Sequence, residues 1–209
     1  DHDDFKLANG KTRINRIWDQ SVGTVNPPSG FTYGREWTSS QIDGGQCTQA
    51  DYLGHGTFLA GVAAGNGKAT GNGQPAYQYV GVAPEADLVV VKTNGLSTAI
   101  VDGVDYIFRR ASALGKDAVV CIAYGTRTGA HDGTDPMEEA LTALAGPGRI
   151  IAAAAGNYGD EPIHGNVILP RRSTRTISFN VPVHSNSSDE RVVLEGWYDG
   201  SDVVRVSVR

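Results

Sequence analysis

Ala86-Asp87-Leu88-Val89-Val90-Val91-Lys92 is a continuous, largely β-branched run, the pattern of a strand buried on both faces. Downstream, Ile100, Val101, Val104, Ile107, Phe108, Ala111 and Leu114 recur at helical spacing, and Gly115 supplies the stop. Ala118-Val119-Val120-Cys121-Ile122-Ala123 reads as the next buried strand. Met137, Ala140, Leu141 and Leu144 mark a second helix, and Arg149-Ile150-Ile151-Ala152-Ala153-Ala154 a third buried strand. Strand, helix, strand, helix, strand in this order predicts an α/β fold with a parallel sheet and right-handed crossovers.

Upstream, the small and apolar residues from about 54 to 64 permit a helix that stops at Gly65-Asn66-Gly67. A Gly/Asn-rich loop follows to about residue 79. Residues 1 to about 50 read as loops around short extended pieces. Thr12 to Trp18 alternates like a strand, and Asn26-Pro27-Pro28-Ser29-Gly30 is a turn cluster. Beyond residue 170 the period changes. Ile177, Phe179 and Val181 alternate with polar neighbours, as do Val204, Val206 and Val208. With Arg191 to Tyr198 and the turn Asp199-Gly200, they predict antiparallel strands. The expected division is a core over residues 1–170 and a β-rich insertion beginning at 171–209.

The 209 residues suffice for a substantial core. A net charge of -5 argues against a general nucleic-acid binder, which needs a basic stripe. No apolar run approaches the ~20 residues of a membrane span. Asp1-His2-Asp3-Asp4 does not read as a signal peptide. Cys121, inside an apolar run, reads as a buried free thiol, and Cys47 lies in a polar loop. The two make neither a disulfide framework nor a metal-ligand spacing and leave the redox compartment open.

Two segments carry candidate chemistry. In Asp51-Tyr52-Leu53-Gly54-His55-Gly56-Thr57 a histidine sits between glycines at a helix start, where backbone and substrate can approach closely. By itself His55 reads first as a helix-start histidine. Ala155-Gly156-Asn157 follows a buried parallel strand, at the end of the sheet where open α/β folds place ligands. By itself Asn157 reads first as strand-end turn chemistry. Other patterns are weaker. Gly61 to Thr70 approaches a P-loop, but Ala69 stands where Ser or Thr is needed. Gly71 to Ala76 touches a dinucleotide fingerprint but follows a loop and contains Pro75. His131-Asp132 lacks a third metal ligand. Asp132 and Asp135 read as a turn and a helix start, and His164 as a surface histidine. Asn186-Ser187-Ser188 matches a glycosylation sequon by pattern only.

Taken together, the His55 block, Gly81-Val82-Ala83-Pro84, Ala123-Tyr124-Gly125 and Ala155-Gly156-Asn157 resemble, in order and spacing, the blocks of the subtilases, the subtilisin-like serine peptidases. The resemblance covers roughly residues 2 to 165. Asp4-Phe5, Thr12-Arg13-Ile14 and Trp18-Asp19-Gln20 resemble the segment after the catalytic Asp in one bacterial branch. The strands after 174 resemble that branch's jelly-roll-like insertion. The resemblance implies a three-layer subtilisin-like core and Ser/His/Asp hydrolysis of peptide or protein substrates. His55 would be the base and Asn157 the oxyanion donor. Ala123, Tyr124 and Gly125, with Asn94, Gly95 and Leu96, would hold the substrate as an added β-strand, Tyr124 walling a side-chain pocket. It implies no required cofactor. A structural calcium would fit the family, but no pattern here supports it. Secretion is the family's habit.

The chain departs from the family pattern at several points. Ala123 replaces a usual Ser, Cys121 a usual Asn and Phe58 a frequent His. No Asp-Thr-Gly, Asp-Ser-Gly or Gly-Thr-Ser occurs, so the catalytic Asp is expected before Asp1 and the nucleophile beyond Arg209. In the family fold the Asp strand and the Ser helix are central. Without them, the strands at 87–92 and 119–123 would face a gap and expose apolar surface. The chain is therefore expected to be part of a larger protein or a processing product, its partner being the remainder of that protein. The alternatives are a pseudoprotease that binds peptide without cutting and, for residues from about 170 onward, a separate recognition module.

Overall fold

The computed structural model describes residues 2–69, 73–161, 163–180 and 192–208. Its strands are β1 (Ile14–Asp19), β2 (Arg35–Thr38), β3 (Leu88–Lys92), β4 (Ala118–Ile122) and β5 (Arg149–Ala153). Its helices are α1 (Ser39–Asp43), α2 (His55–Ala64), α3 (Ser97–Ala113) and α4 (Pro136–Leu144). The chain divides into two compact units: residues 1–125 with 136–154, and residues 126–135 with 155–209. All of these strands and helices belong to the first unit.

In one sheet β1 lies between β2, antiparallel, and β3, parallel, with Ile17 opposite Trp37 and Val90. In the other β4 runs parallel to β5, with Val120 opposite Ile151. The β4–β5 pair is parallel, as the alternating pattern predicts, but β3 pairs in parallel with β1 and not with β4, so the expected single parallel sheet is divided in two. The antiparallel β2 was not anticipated.

The strand covered on both faces is β1, not β3. Ile14 and Ile17 join Phe5, Trp37 and Ile42 in one apolar cluster. Fully buried Trp18 meets Phe31, Tyr33 and Tyr106 at ring-centroid distances of 4.6, 5.2 and 5.1 Å. Every residue of β3 is only half-buried, because β3 is the sheet's edge. β4 and β5 also depart from the expectation of full burial. Val120 and Ile122 pack with Ile100, Val104 and Phe108 of α3, and Met137, Leu141 and Leu144 of α4 lie against this cluster. The alternate residues Val119 and Cys121 are exposed, as is Ile150 on β5. Cys121 is therefore not the buried thiol its apolar run predicts. Cys47, expected in a polar loop, is half-buried against the Phe5–Ile42 cluster.

The end of α2 shows what Gly81-Val82-Ala83 does. A helix leaves its last four carbonyls without intrahelical donors. Here Gly61 O accepts from Gly65 N, Val62 O from Val82 N at 3.1 Å, and Ala63 O from Ala83 N at 2.9 Å. Ala64 O accepts from the buried Arg13 guanidinium, which also reaches Ala86 O and Asp4 O. Gly81 N in turn donates to Gly65 O at 2.7 Å, so the stretch behind the helix acts as its C-terminal cap.

The second unit has no strand or helix among its described residues. The alternation at Ile177, Phe179, Val204, Val206 and Val208 is thus not realised as strands. Ile177, Phe179, Val206 and Val208 are at least half exposed. Amphipathic strands need a second apolar face to cover them, and a lone hairpin is marginal in water. Val181, Arg191 and the Asn186-Ser187-Ser188 sequon lie outside the described residues, as do Thr70, Gly71 and Asn72 of the two nucleotide-type loops. Asp132 accepts from Thr134 N and Oγ1 in an Asx turn, its acidity increased chiefly by the hydroxyl bond. α4 follows immediately, as predicted. His164 is exposed.

Candidate active site

His55 opens α2 behind Gly54, whose φ of 72° lies in the left-handed region that glycine enters without a Cβ clash. Gly54 has no side chain with which to cap the helix. Asp51 does this instead: its carboxylate accepts from Thr57 N at 2.8 Å, Thr57 Oγ1 at 2.9 Å and Gly54 N at 3.0 Å. These donors, the Thr57 backbone foremost, hold the Asp51 carboxyl below its usual pKa. The loop leading to His55 is tied to the sheet through Lys92, the last residue of β3. Its Nζ reaches Ala50 O at 3.4 Å, lies 5.5 Å from the centre of the Tyr52 ring, and is 3.8 Å from Asp19 at the end of β1. His55 thus begins a helix at the carboxyl ends of two parallel strands, with its side chain open to solvent.

Asn94, Gly95 and Leu96 leave the end of β3, and Ala123, Tyr124 and Gly125 leave the end of β4. The fold brings these segments together. A Cβ placed on Gly95, at φ 86°, would lie 3.3 Å from Tyr124 Oη. The first segment is a rigid turn: Thr93 Oγ1 accepts from Gly95 N and Asn94 Oδ1 from Leu96 N, at 3.1 and 3.0 Å. Those two amides are consumed locally, so this edge offers an incoming strand mainly its carbonyls. Among the described residues, no backbone bond engages the amides of Tyr124 and Gly125. Leu96 and Tyr124 are 61% and 48% exposed, so an incoming chain can reach this edge.

Asn157 lies in the second unit, directly after Gly156 at φ 86°. Gly156 packs on the Tyr158 ring, and the Arg127 guanidinium stacks over that ring at 4.4 Å. Arg127 also pairs with Glu161 at 3.5 Å. The Asn157 side chain is exposed.

Sequence reasoning missed Asp51, Lys92 and the Tyr33–Asp102 contact. Only Asp51 carried a usable signal, a carboxylate shortly before a helix-opening His-Gly-Thr. Among the described residues no three His, Cys, Asp or Glu side chains gather as metal ligands, and no helix is long and apolar enough to cross a membrane.

These features define an α/β protein with an exposed histidine at a helix start by the carboxyl ends of β1 and β3, and with exposed segments leaving the ends of β3 and β4. The chain belongs to the subtilase family, whose model matches residues 17–187. It is 32% identical over 167 residues to a subtilisin of Bacillus sp. (strain TA39), covering 74% of this chain and 35% of that protein. It is 31% identical over 164 residues to the major intracellular serine protease of Bacillus subtilis (strain 168), covering 74% and 46%. Among solved structures it is similar to the Clostridium perfringens CspB protease, with TM-score 0.62 and 27% identity over 76% of this chain and 34% of that one. The chain thus spans less than half the length of these relatives.

Proposed function

We propose that this chain is part of a serine endopeptidase that hydrolyses peptide bonds through a Ser/His/Asp triad. His55 takes the proton of the serine hydroxyl as the carbonyl is attacked, then passes it to the leaving amine. The Asn157 amide donates to the tetrahedral oxyanion, a contribution of about 3 kcal/mol where such donors have been removed. The carbonyls of the 94–96 turn and the amides of Tyr124 and Gly125 align the substrate as an added strand. The remainder of the protein supplies the Asp and the Ser, and the alternating residues beyond 171 pair as strands only when that remainder covers their apolar face. The observation that carries this reading is the seating of His55 at a helix start fixed by Asp51, with the loop before it tied to the ends of β1 and β3 through Lys92.

The exposed apolar surfaces support the need for further chain. β3 and β4 are not paired with each other, and Phe58, Val62, Val82, Val119 and Ile150 are more than half exposed. The same strand edges would accept a strand from the rest of the protein. Alone, the 209 residues have no identified nucleophile and do not hydrolyse peptides by this route. The test is labelling by a fluorophosphonate probe, read by intact mass, for this chain and for the full protein. The expected result is labelling of the full protein only, lost in His55→Ala. Absence of labelling from both would replace this reading with a pseudoprotease that binds peptide without cutting. Labelling of the 209-residue chain itself would overturn the need for a remainder.

A further inference from the structure

A cavity of about 250 Å³ lies against the 94–96 turn, lined by Tyr33, Asn94, Leu96, Thr98, Ala99 and Asp102. It is smaller than the ~300 Å³ at which ligand and cofactor pockets begin, so its size suits a single side chain. Its lining is mixed. Leu96, Ala99 and the Tyr33 ring supply apolar surface, and Asp102 supplies the only formal charge.

Asp102 makes its direct contact with a neutral group rather than with a cation. Its Oδ2 accepts from Tyr33 Oη at 2.8 Å, a neutral donor. Tyr33 is held by Gln20, whose Nε2 donates to Tyr33 Oη at 3.3 Å and to Ala99 O at 2.8 Å. Gln20 is 3% exposed, so this bridge is built into the core. The nearby cations of α3 make their close contacts elsewhere, Arg109 to Asp105 at 2.7 Å and Arg110 to Glu36 at 3.5 Å, although the Arg109 charge also acts on Asp102 from beyond ion-pair distance. Asp102 is therefore a half-buried carboxylate without an ion pair among the described residues, its second oxygen still able to accept. A carboxylate in that position favours an incoming cation.

We propose that this cavity receives a lysine or arginine side chain of the bound polypeptide, its aliphatic stem against Leu96 and Ala99 and its charge on Asp102. Long basic side chains combine an apolar stem with a charged tip, matching this lining. The inference rests on the proposed holding of substrate along residues 94–96, because that segment forms part of the cavity wall. It makes Asp102 a specificity residue and Tyr33 the group that positions it.

The test uses the full protein and internally quenched peptides that differ at one position in turn, carrying lysine, norleucine or glutamate. At one position the lysine peptide should be cleaved about tenfold faster in kcat/KM than the norleucine peptide, with glutamate slowest. In Asp102→Asn the lysine-to-norleucine ratio should fall to about one. That ratio is insensitive to a general loss of folded protein. Tyr33→Phe removes the bond to Oδ2 but keeps the charge, so it should retain a reduced preference. Binding of the same peptides to His55→Ala protein, read by fluorescence anisotropy, separates the two readings. Cleavage without a lysine preference at any position overturns the pocket and leaves the peptidase. A lysine preference in binding, lost in Asp102→Asn, with no cleavage by the native protein, leaves the pocket and overturns the peptidase.

Discussion

Asp51 shows how one exposed carboxylate can set the geometry of a side chain it does not touch, here His55. Its three accepted hydrogen bonds all come from Gly54 and Thr57, the residues that flank His55 and Gly56. Removing them leaves donors of the first helical turn without a partner, a loss of about 1 kcal/mol for a typical cap. We expect Asp51→Ala to lower the urea midpoint correspondingly and, in the full protein, to lower kcat with little change in KM. The carboxyl is held below its usual pKa, so its contribution is fully present above the unfolded value near 4 and is lost as pH falls through the lower folded value. The difference in urea midpoint between native protein and Asp51→Asn should therefore shrink as pH falls from neutral toward about 2. A constant difference across that range would show that the carboxylate charge is not what holds the turn. His55 is legible in the sequence because glycines flank it at a helix start. Asp51 carries a weaker signal, a carboxylate shortly before that helix start, and its capping role shows only where Thr57 turns back onto it.

At the scale of elements, α2 is apolar around its whole circumference and is held by what lies behind it. Gly81 makes that approach possible: a Cβ there would lie 2.6 Å from Gly61 O, 2.7 Å from Gly65 N and 2.8 Å from Ala64 N. All three are backbone atoms that cannot step aside, so Gly81→Ala must push the 81–83 stretch off the carbonyls of Val62 and Ala63. Overpacking of this kind costs about 1–3 kcal/mol, and a urea midpoint lowered with an unchanged slope would register it. The order of strands and helices from 86 to 154 was readable because β-branched runs and 3.6-residue spacing alternate cleanly there. Which faces of those strands are covered was not. An apolar run looks the same whether two layers cover it or one, and β4 and β5 are covered on the α3–α4 side only. The capping box Thr38-Ser39-Ser40-Gln41 that starts α1 was written in the sequence, with Thr38 N donating to Gln41 Oε1 at 2.9 Å, but lies in a stretch read as loop. The site was legible as separate segments. The meeting of Gly95 with Tyr124, and of Tyr33 with Asp102, depends on tertiary packing that no local pattern announces.

For the whole molecule, the arrangement of covered and uncovered faces provides a test of the proposal that this chain is one part of a larger structure. Cys121 reports directly on the uncovered face. It sits on β4 between Val120 and Ile122, which are 4% and 8% exposed, while its own side chain points to the opposite, open face. Cys47 is half-buried against Phe5, Ile14, Ile17, Trp37 and Ile42 and serves as an internal control. In the 209-residue chain we expect a maleimide to modify Cys121 promptly and Cys47 much more slowly, the two becoming equal in urea. In the full protein, Cys121 should slow to the level of Cys47 or below, because a layer laid over Val119, Cys121 and Ile150 would shield thiol and apolar surface together. Peptide mapping after a timed pulse of reagent distinguishes the two thiols. The same pulse followed by binding of an apolar dye separates burial from a change in thiol reactivity: burial lowers labelling and dye binding in parallel, whereas a change in thiolate character alone lowers only labelling. Equal, rapid modification of Cys121 in both proteins would mean that this face remains open to solvent when the chain is whole, and the missing layer would then have to be sought elsewhere than over β4.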